Sequence, residues 1–260
     1  MRQLYTGKVA VVTGGTQGLG EAVARALVRE GAAGVAIAGR SAPRGVAIAE
    51  ELTAAGCPTI FIQADLHLPE DCRRVVGETV RRFGKIDGLV NSAALNTRGT
   101  IEETTVELWD EHMAVNARAP FLTMQEAIKQ MRATGRGGAI VNVVTQNAHG
   151  GQPQLVAYSA SKGALATLTK NVAHAVRYDR IRVNGIMLGW TDTPNEDWIQ
   201  RRAHGAGDDW LERAEAAQPM GKLAKPDEIA DLIALLLSDR GGIMTGALID
   251  YTQRIPGCFD

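Results

Sequence analysis

Cysteine is scarce in this chain. Three residues, Cys57, Cys72 and Cys258, are an odd number with neither CxxC nor metal-ligand spacing. No disulfide framework and no metal site is expected from such a set, and a reduced, cytoplasmic setting follows. Long apolar runs are also lacking, since none approaches the roughly 20 residues that cross a bilayer. The first strand-like run begins at Lys8, which leaves no room for a signal peptide, so no membrane partner is expected. An excess of one charge is missing too. With 28 Lys and Arg against 29 Asp and Glu, the formal net charge of -1 gives no electrostatic argument for a nucleic acid or an anionic surface. The pairs Arg73-Arg74, Arg81-Arg82 and Arg201-Arg202 sit among acidic residues and read as solvated helix faces. No repeat, low-complexity tract or linker divides the 260 residues, a length that fits one domain.

What is present is an alternation of short apolar runs with longer amphipathic stretches. The runs Lys8–Thr13, Val35–Gly39, Thr59–Gln63, Gly88–Asn91, Ala139–Val144, Ile181–Ile186 and Ala247–Asp250 predict strands. Helices are expected at Gly20–Glu30, Arg44–Ala55, Pro69–Phe83 and Tyr158–Tyr178. In the first, Val23, Leu27 and Val28 keep the spacing of a core-facing stripe. Strands apolar on both faces and joined by helices point to an α/β fold, a doubly wound parallel sheet covered on each side. The polar stretch from Trp190 to Pro219 breaks this rhythm. It is too long for an ordinary connection, so it is either a functional lid or disordered, and Trp190, Trp198 and Trp210 favour the lid.

The first strand runs straight into Thr13-Gly14-Gly15-Thr16-Gln17-Gly18-Leu19-Gly20, where a helical pattern starts. Glycines let a backbone turn sharply against a pyrophosphate, whose charge then meets the free amides of a helix N-terminus. A plain tight turn would use glycine as well. At the end of the second strand, where an acidic residue would read the ribose hydroxyls of NAD, the chain has Gly39-Arg40. A guanidinium there suits a phosphate and favours NADP over NAD, with Arg44 as a possible assistant. Gln17, a neutral side chain in the glycine loop, argues the other way.

These features, taken with six further motifs, resemble the short-chain dehydrogenase/reductase family across essentially the whole chain. The further motifs are Asp65-Leu66 after the third strand, Asn91-Ser92-Ala93-Ala94 after the fourth, and Asn116 in AVNARAPF. IVNVVT ending at Thr145, Tyr158-Ser-Ala-Ser-Lys162 and RVNGIMLGWTDTP complete the set. The resemblance implies a Rossmann-type sheet of about seven strands, a single domain with a substrate lid at about 190–219, and a homotetramer or homodimer. It implies that Asp65 and Leu66 contact adenine and that Asn91 to Ala93 run under the adenosine ribose. It also implies that Thr193 holds the nicotinamide carboxamide with Gly189 and Thr191 beside it. For Asp65 and Asn91, strand-end capping is the competing reading. Ala94, in place of the usual glycine, and Leu188, in place of proline, are departures at cofactor-facing turns.

Tyr158 and Lys162 lie four apart at a helix start and so share a face. A free phenol titrates near about 10, and a neighbouring ammonium would lower that value and make it a workable acid and base. In the family Lys162 also binds the nicotinamide ribose. Thr145 stands where a serine normally bonds the reacting oxygen. It keeps the hydroxyl but adds a methyl and a stiffer side chain. Asn116 corresponds to the asparagine whose backbone anchors a relay water, with a helix kink as the competing reading. Gln146, His149, Gln152 and Trp198, with Asn195 and His204, are candidates for the substrate wall. This hydrogen-bonding set suits a sugar or polyol as the small-molecule alcohol or carbonyl substrate. A 3-oxoacyl carrier-protein reductase is the enzymic alternative, and a non-catalytic nucleotide-binding redox sensor is the alternative of a different class.

Overall fold

The computed structural model describes residues 3–256 and Cys258. The strands are β1 (Val9–Thr13), β2 (Gly34–Gly39), β3 (Thr59–Gln63), β4 (Gly88–Asn91), β5 (Gly138–Thr145), β6 (Ile181–Leu188) and β7 (Leu248–Tyr251). They form one seven-stranded sheet in the order β3-β2-β1-β4-β5-β6-β7, and every neighbouring pair is parallel. Every residue of β1 and β4 is buried, as strands with cover on both faces require.

The helices are α1 (Gly18–Arg29), α2 (Ala42–Ala54), α3 (Pro69–Phe83), α4 (Val106–Met113), α5 (Ala119–Thr134) and α6 (Val156–Val176). They continue with α7 (Pro194–Ala203), α8 (Trp210–Ala216) and α9 (Pro226–Leu237). Side chains alternate across the strands. Val12, Ile37, Val90 and Val141 therefore pack with Leu27, Leu52 and Ile233 on one face. Val11, Ala36, Leu89 and Ile140 pack with Val76, Met124 and Val176 on the other. The chain order reverses between β1 and β4, which opens a crevice at the strands' carboxyl ends where ligands of such sheets bind.

The expected strands are all present with ends shifted by no more than two residues. The largest shift carries β6 past Ile186 to Leu188, which delivers Gly189 to the crevice. The segment after it is ordered as α7 and α8 rather than disordered, because it has a core of its own. Trp210 is 4% exposed, donates from Nε1 to Asp197 at 2.7 Å and packs with Ala214 and Leu223. Trp190 lies against it at 6.5 Å between ring centroids. Trp198 takes no part and is 60% exposed. Among the described residues no helix is long and apolar enough to cross a membrane.

Leu27 is fully buried between α1 and the sheet, whereas Val46 is exposed on α2. Leu27→Ala is expected to cost about 3 kcal/mol, and Val46→Ala no more than about 0.5 kcal/mol. Urea unfolding midpoints compare the two, and equal losses would contradict this layering.

Candidate functional site

The crevice is built from the turn after β1. The Thr13 hydroxyl accepts from the amides of Ser92 (3.2 Å) and Ala93 (3.3 Å), locking the turn after β4 to the end of β1. Gly14 has φ of +70°, and a Cβ there would lie 2.8 Å from the Ala93 backbone. A Cβ at Gly20 would lie 2.2 Å from the Gly14 carbonyl oxygen, so the first turn of α1 presses directly on the loop. Gln17 is extended and gives α1 no side-chain cap, which leaves first-turn amides available to an anion. Across the crevice, Thr193 faces the loop, since a Cβ at Gly18 would lie 3.7 Å from that of Thr193.

At the end of β2, Thr16 fills the space over Gly39. Arg40 is exposed beside it, and Arg44 donates to the Gln17 side chain at 2.5 Å. Asp65 is held below the ordinary carboxylate range, mainly by the His67 ring (2.9 Å) and the His67 amide (3.1 Å). Three of the residues read as cofactor-facing turn their side chains inwards. Leu19 and Leu66 are buried in the two core layers. Asn91 is buried in a polar chain, donating to Asn142 (2.9 Å) and accepting from Thr123 (2.7 Å). Apolar Leu19 and Leu66 gain by leaving water, and a buried amide needs partners, so these residues can offer a ligand only their backbone.

The other end of the crevice is formed by β5 and α6. Lys162 is wholly buried and donates to the Val143 carbonyl at 2.7 Å, and burial lowers its pKa to about 8. Burial raises the Tyr158 phenol above its ordinary value. The Thr145 hydroxyl pulls it the other way, and the charge of Glu196 adds to the rise. The expected lowering by the ammonium is therefore not met, since burial outweighs it. Thr145 lines the cleft but also caps the strand end, accepting from the Asn147 amide at 3.3 Å.

Asn116 lies in a π-helical turn, Ala114–Arg118, so the helix irregularity is present. Its side chain accepts from the Leu95 amide and donates to the Leu95 carbonyl, both at 2.8 Å, and donates to Ser161 at 3.0 Å. His112 escaped the sequence reading. Its Nδ1 lies 2.8 Å from the Leu108 carbonyl, which can only accept, so Nδ1 donates and Nε2 is the nitrogen left over. That nitrogen is buried without a partner among the described residues, and the ring meets Tyr158 edge-on at 6.5 Å.

These parts open into a cleft of about 950 Å³ that brings together Thr145, Gln146, Gln152, Tyr158, Lys162, Gly189, Thr191, Thr193 and His204. Three substrate candidates, His149, Trp198 and Asn195, are not in its lining. His149 turns to the rim, where its Nε2 lies 2.8 Å from Asp250, and Trp198 faces solvent. Asn195 instead donates to Asn96 at 3.3 Å. Arg98, Glu196 and Gln200 also line the cleft and were not anticipated. The spacing of Glu196 and Gln200, four apart, was a readable sign of a shared helix face. Arg98 gave no local signal.

The family model described as short chain dehydrogenase matches residues 8–203. An uncharacterized oxidoreductase of Thermotoga maritima is 36% identical, covering 95% of this chain and 96% of its own. An NADP-dependent (R)-specific alcohol dehydrogenase of Lentilactobacillus kefiri is 34% identical over the same shares, 95% and 96%. The crystal structure of a dehydrogenase/reductase from Sinorhizobium meliloti superposes with a TM-score of 0.86 at 37% identity, covering 97% of this chain and 96% of that one. The chain therefore belongs to the short-chain dehydrogenase/reductase family, NAD(P)-using oxidoreductases that act on hydroxyl and carbonyl groups.

Proposed function

We propose that this protein interconverts a secondary alcohol and a ketone, with Tyr158 as the proton carrier, NADP as the favoured cofactor and a polar, polyol- or sugar-like substrate. One observation carries the reading. Tyr158, Lys162 and Thr145 line the same cleft as Thr193, and Thr193 faces the glycine loop. The residues present fit a dinucleotide. The Gly14–Gly20 turn would take the pyrophosphate, Asp65 and the backbone of 91–93 the adenosine, and Thr193, Thr191 and Lys162 the nicotinamide end. When bound, the nicotinamide supplies or accepts the hydride.

The chain's own residues handle the proton. In reduction, the Tyr158 hydroxyl gives its proton to the substrate oxygen as negative charge builds there, and in oxidation it takes that proton back. A phenol kept neutral by burial is suited to donation. The Thr145 hydroxyl holds the same oxygen, and its methyl narrows the approach. Arg40 and Arg44 flank the end of β2 with no carboxylate at positions 39 and 40, which supports NADP, as does the NADP dependence of the Lentilactobacillus relative. Gln146, Gln152 and Gln200 support a hydroxyl-rich substrate, and α7 and α8 support a lid over it. Exposed Val106, Trp109 and Phe121 on α4 and α5 support self-assembly.

A carrier-protein substrate would want a free basic patch beside the cleft. Arg201 is instead tied to Asp197 and Asp208, so that alternative is not favoured. A sensor without catalysis would leave the retained tyrosine and lysine unexplained.

Tyr158→Phe is expected to lower turnover about 10³-fold while a fluorescence titration finds cofactor Kd changed by no more than about threefold. Retained turnover would remove Tyr158 from the mechanism. Arg40→Asp should weaken NADP at least about tenfold and NAD far less, and a parent protein that already prefers NAD would refute that assignment. The buried Lys162 gives a pH test on cofactor-free protein. Its folded pKa of about 8 lies below the ordinary 10.5, so between these values the unfolded chain binds more protons and stability rises with pH. The unfolding free energy of the parent, relative to Lys162→Met, should climb by about 3 kcal/mol across that window. A flat difference in denaturant titrations would contradict the burial of the ammonium.

A further inference from the structure

We infer that Arg98 anchors a carboxylate, so that the substrate is a hydroxy or oxo acid, and a polyhydroxylated one fits the remaining lining. This rests on the alcohol–carbonyl reading of the cleft and names the class of compound within it. Arg98 lines the cleft with Tyr158 and Thr145. Its Nε is buried and has no hydrogen-bond partner among the described residues. Elsewhere in the molecule Arg25, Arg74, Arg132 and Arg201 each face a carboxylate. Arg98 has no such partner among the described residues, although a part-buried cation without one is costly.

The other charges of the cleft are occupied or outlying. Lys222 pairs with Glu228, Asp250 with His149, and Lys162 with the Val143 carbonyl, while Arg254 is exposed on the tail. The spare capacity therefore sits on Arg98, whose planar fork of donors matches the two oxygens of a carboxylate. Glu196 lines the same cleft. Its Oε1 is taken by Trp190 (2.8 Å) and Gln200 (2.7 Å). Oε2 has no side-chain donor among the described residues, which suits it to accept from substrate hydroxyls.

The segment bearing Arg98 is fixed at both ends. Asn116 clamps Leu95 with two hydrogen bonds. Gly99 donates to the Gln154 carbonyl at 2.9 Å and accepts from the Val156 amide at 3.4 Å, two residues before Tyr158. A Cβ on Gly99 would lie 2.7 Å from the Thr104 hydroxyl, so the seat is tight as well. An anion on Arg98 is thus held in register with the first turn of α6, and the bound acid is oriented relative to the phenol.

The test uses matched probes that differ by a carboxylate: D-gluconate with D-glucitol, 3-hydroxybutyrate with butan-2-ol, and 4-hydroxycyclohexanecarboxylate with 4-methylcyclohexanol. Calorimetric titration of the NADP⁺-saturated protein reads binding, and nicotinamide absorbance reads turnover. At least one acid should bind about tenfold or more tighter than its alcohol. In Arg98→Met that acid's Kd should rise about 10- to 100-fold, bringing the acid-to-alcohol ratio towards one. Arg98→Lys should restore part of it, with NADP⁺ binding reporting that both variants are folded. A parent without preference for any acid, or a preference that survives Arg98→Met, overturns the anchor. Turnover of alcohols without acid preference would remove the anchor and leave the reaction standing. Arg98-dependent acid binding without any turnover would keep the anchor and remove the proposed reaction.

Discussion

The adjacency of β1 and β4 at the reversal of strand order is the constraint from which the rest follows. Two parallel strands whose connections leave in opposite directions must open a crevice at their carboxyl ends. The Thr13 hydroxyl, bonded to the amides of Ser92 and Ala93, closes that junction. The glycine turn leaves from one side of it and the Leu95–Gly99 segment from the other. Every residue assigned to the cleft is positioned relative to this seam.

Burial sets the electrostatics of the site. Lys162 and Tyr158 both shift towards their neutral forms, for the same reason and in opposite directions on the pH scale. The ammonium is tolerated because Val143 supplies a carbonyl where β5 nears its end. Asn91, Asn142, Thr123 and Thr169 form a buried hydrogen-bonded chain, with Asn142 donating to Thr169 at 2.9 Å. Such a chain is favourable only when complete, so it fixes the register of β4 against β5.

The sheet was legible because its strands are continuous apolar runs punctuated by glycine, and the helix of Tyr158 and Lys162 because four-residue spacing survives folding. The glycine loop and Thr193 were readable in outline, but their facing across the crevice depends on the chain's path. What failed was side-chain direction. Asn91 and Leu66 turn inwards, His149 finds Asp250, and Trp198 finds solvent, each decided by neighbours remote in sequence. Arg98 was invisible for the same reason. Its position depends on Gly99 returning to pair beside Leu155, and its lack of a carboxylate is a property of the fold.

The hydrogen bond from Arg44 to Gln17 has a consequence for nucleotide discrimination. An incoming phosphate would have to displace a neutral amide, so only the excess of the ionic contact over that existing bond separates the two dinucleotides. Both guanidiniums at this edge lie in solvent, where the Debye length is about 8 Å at physiological ionic strength. The proposed preference for NADP is thus a quantity that electrolyte can dial down, whereas the buried Lys162 ammonium is far less open to the same screening.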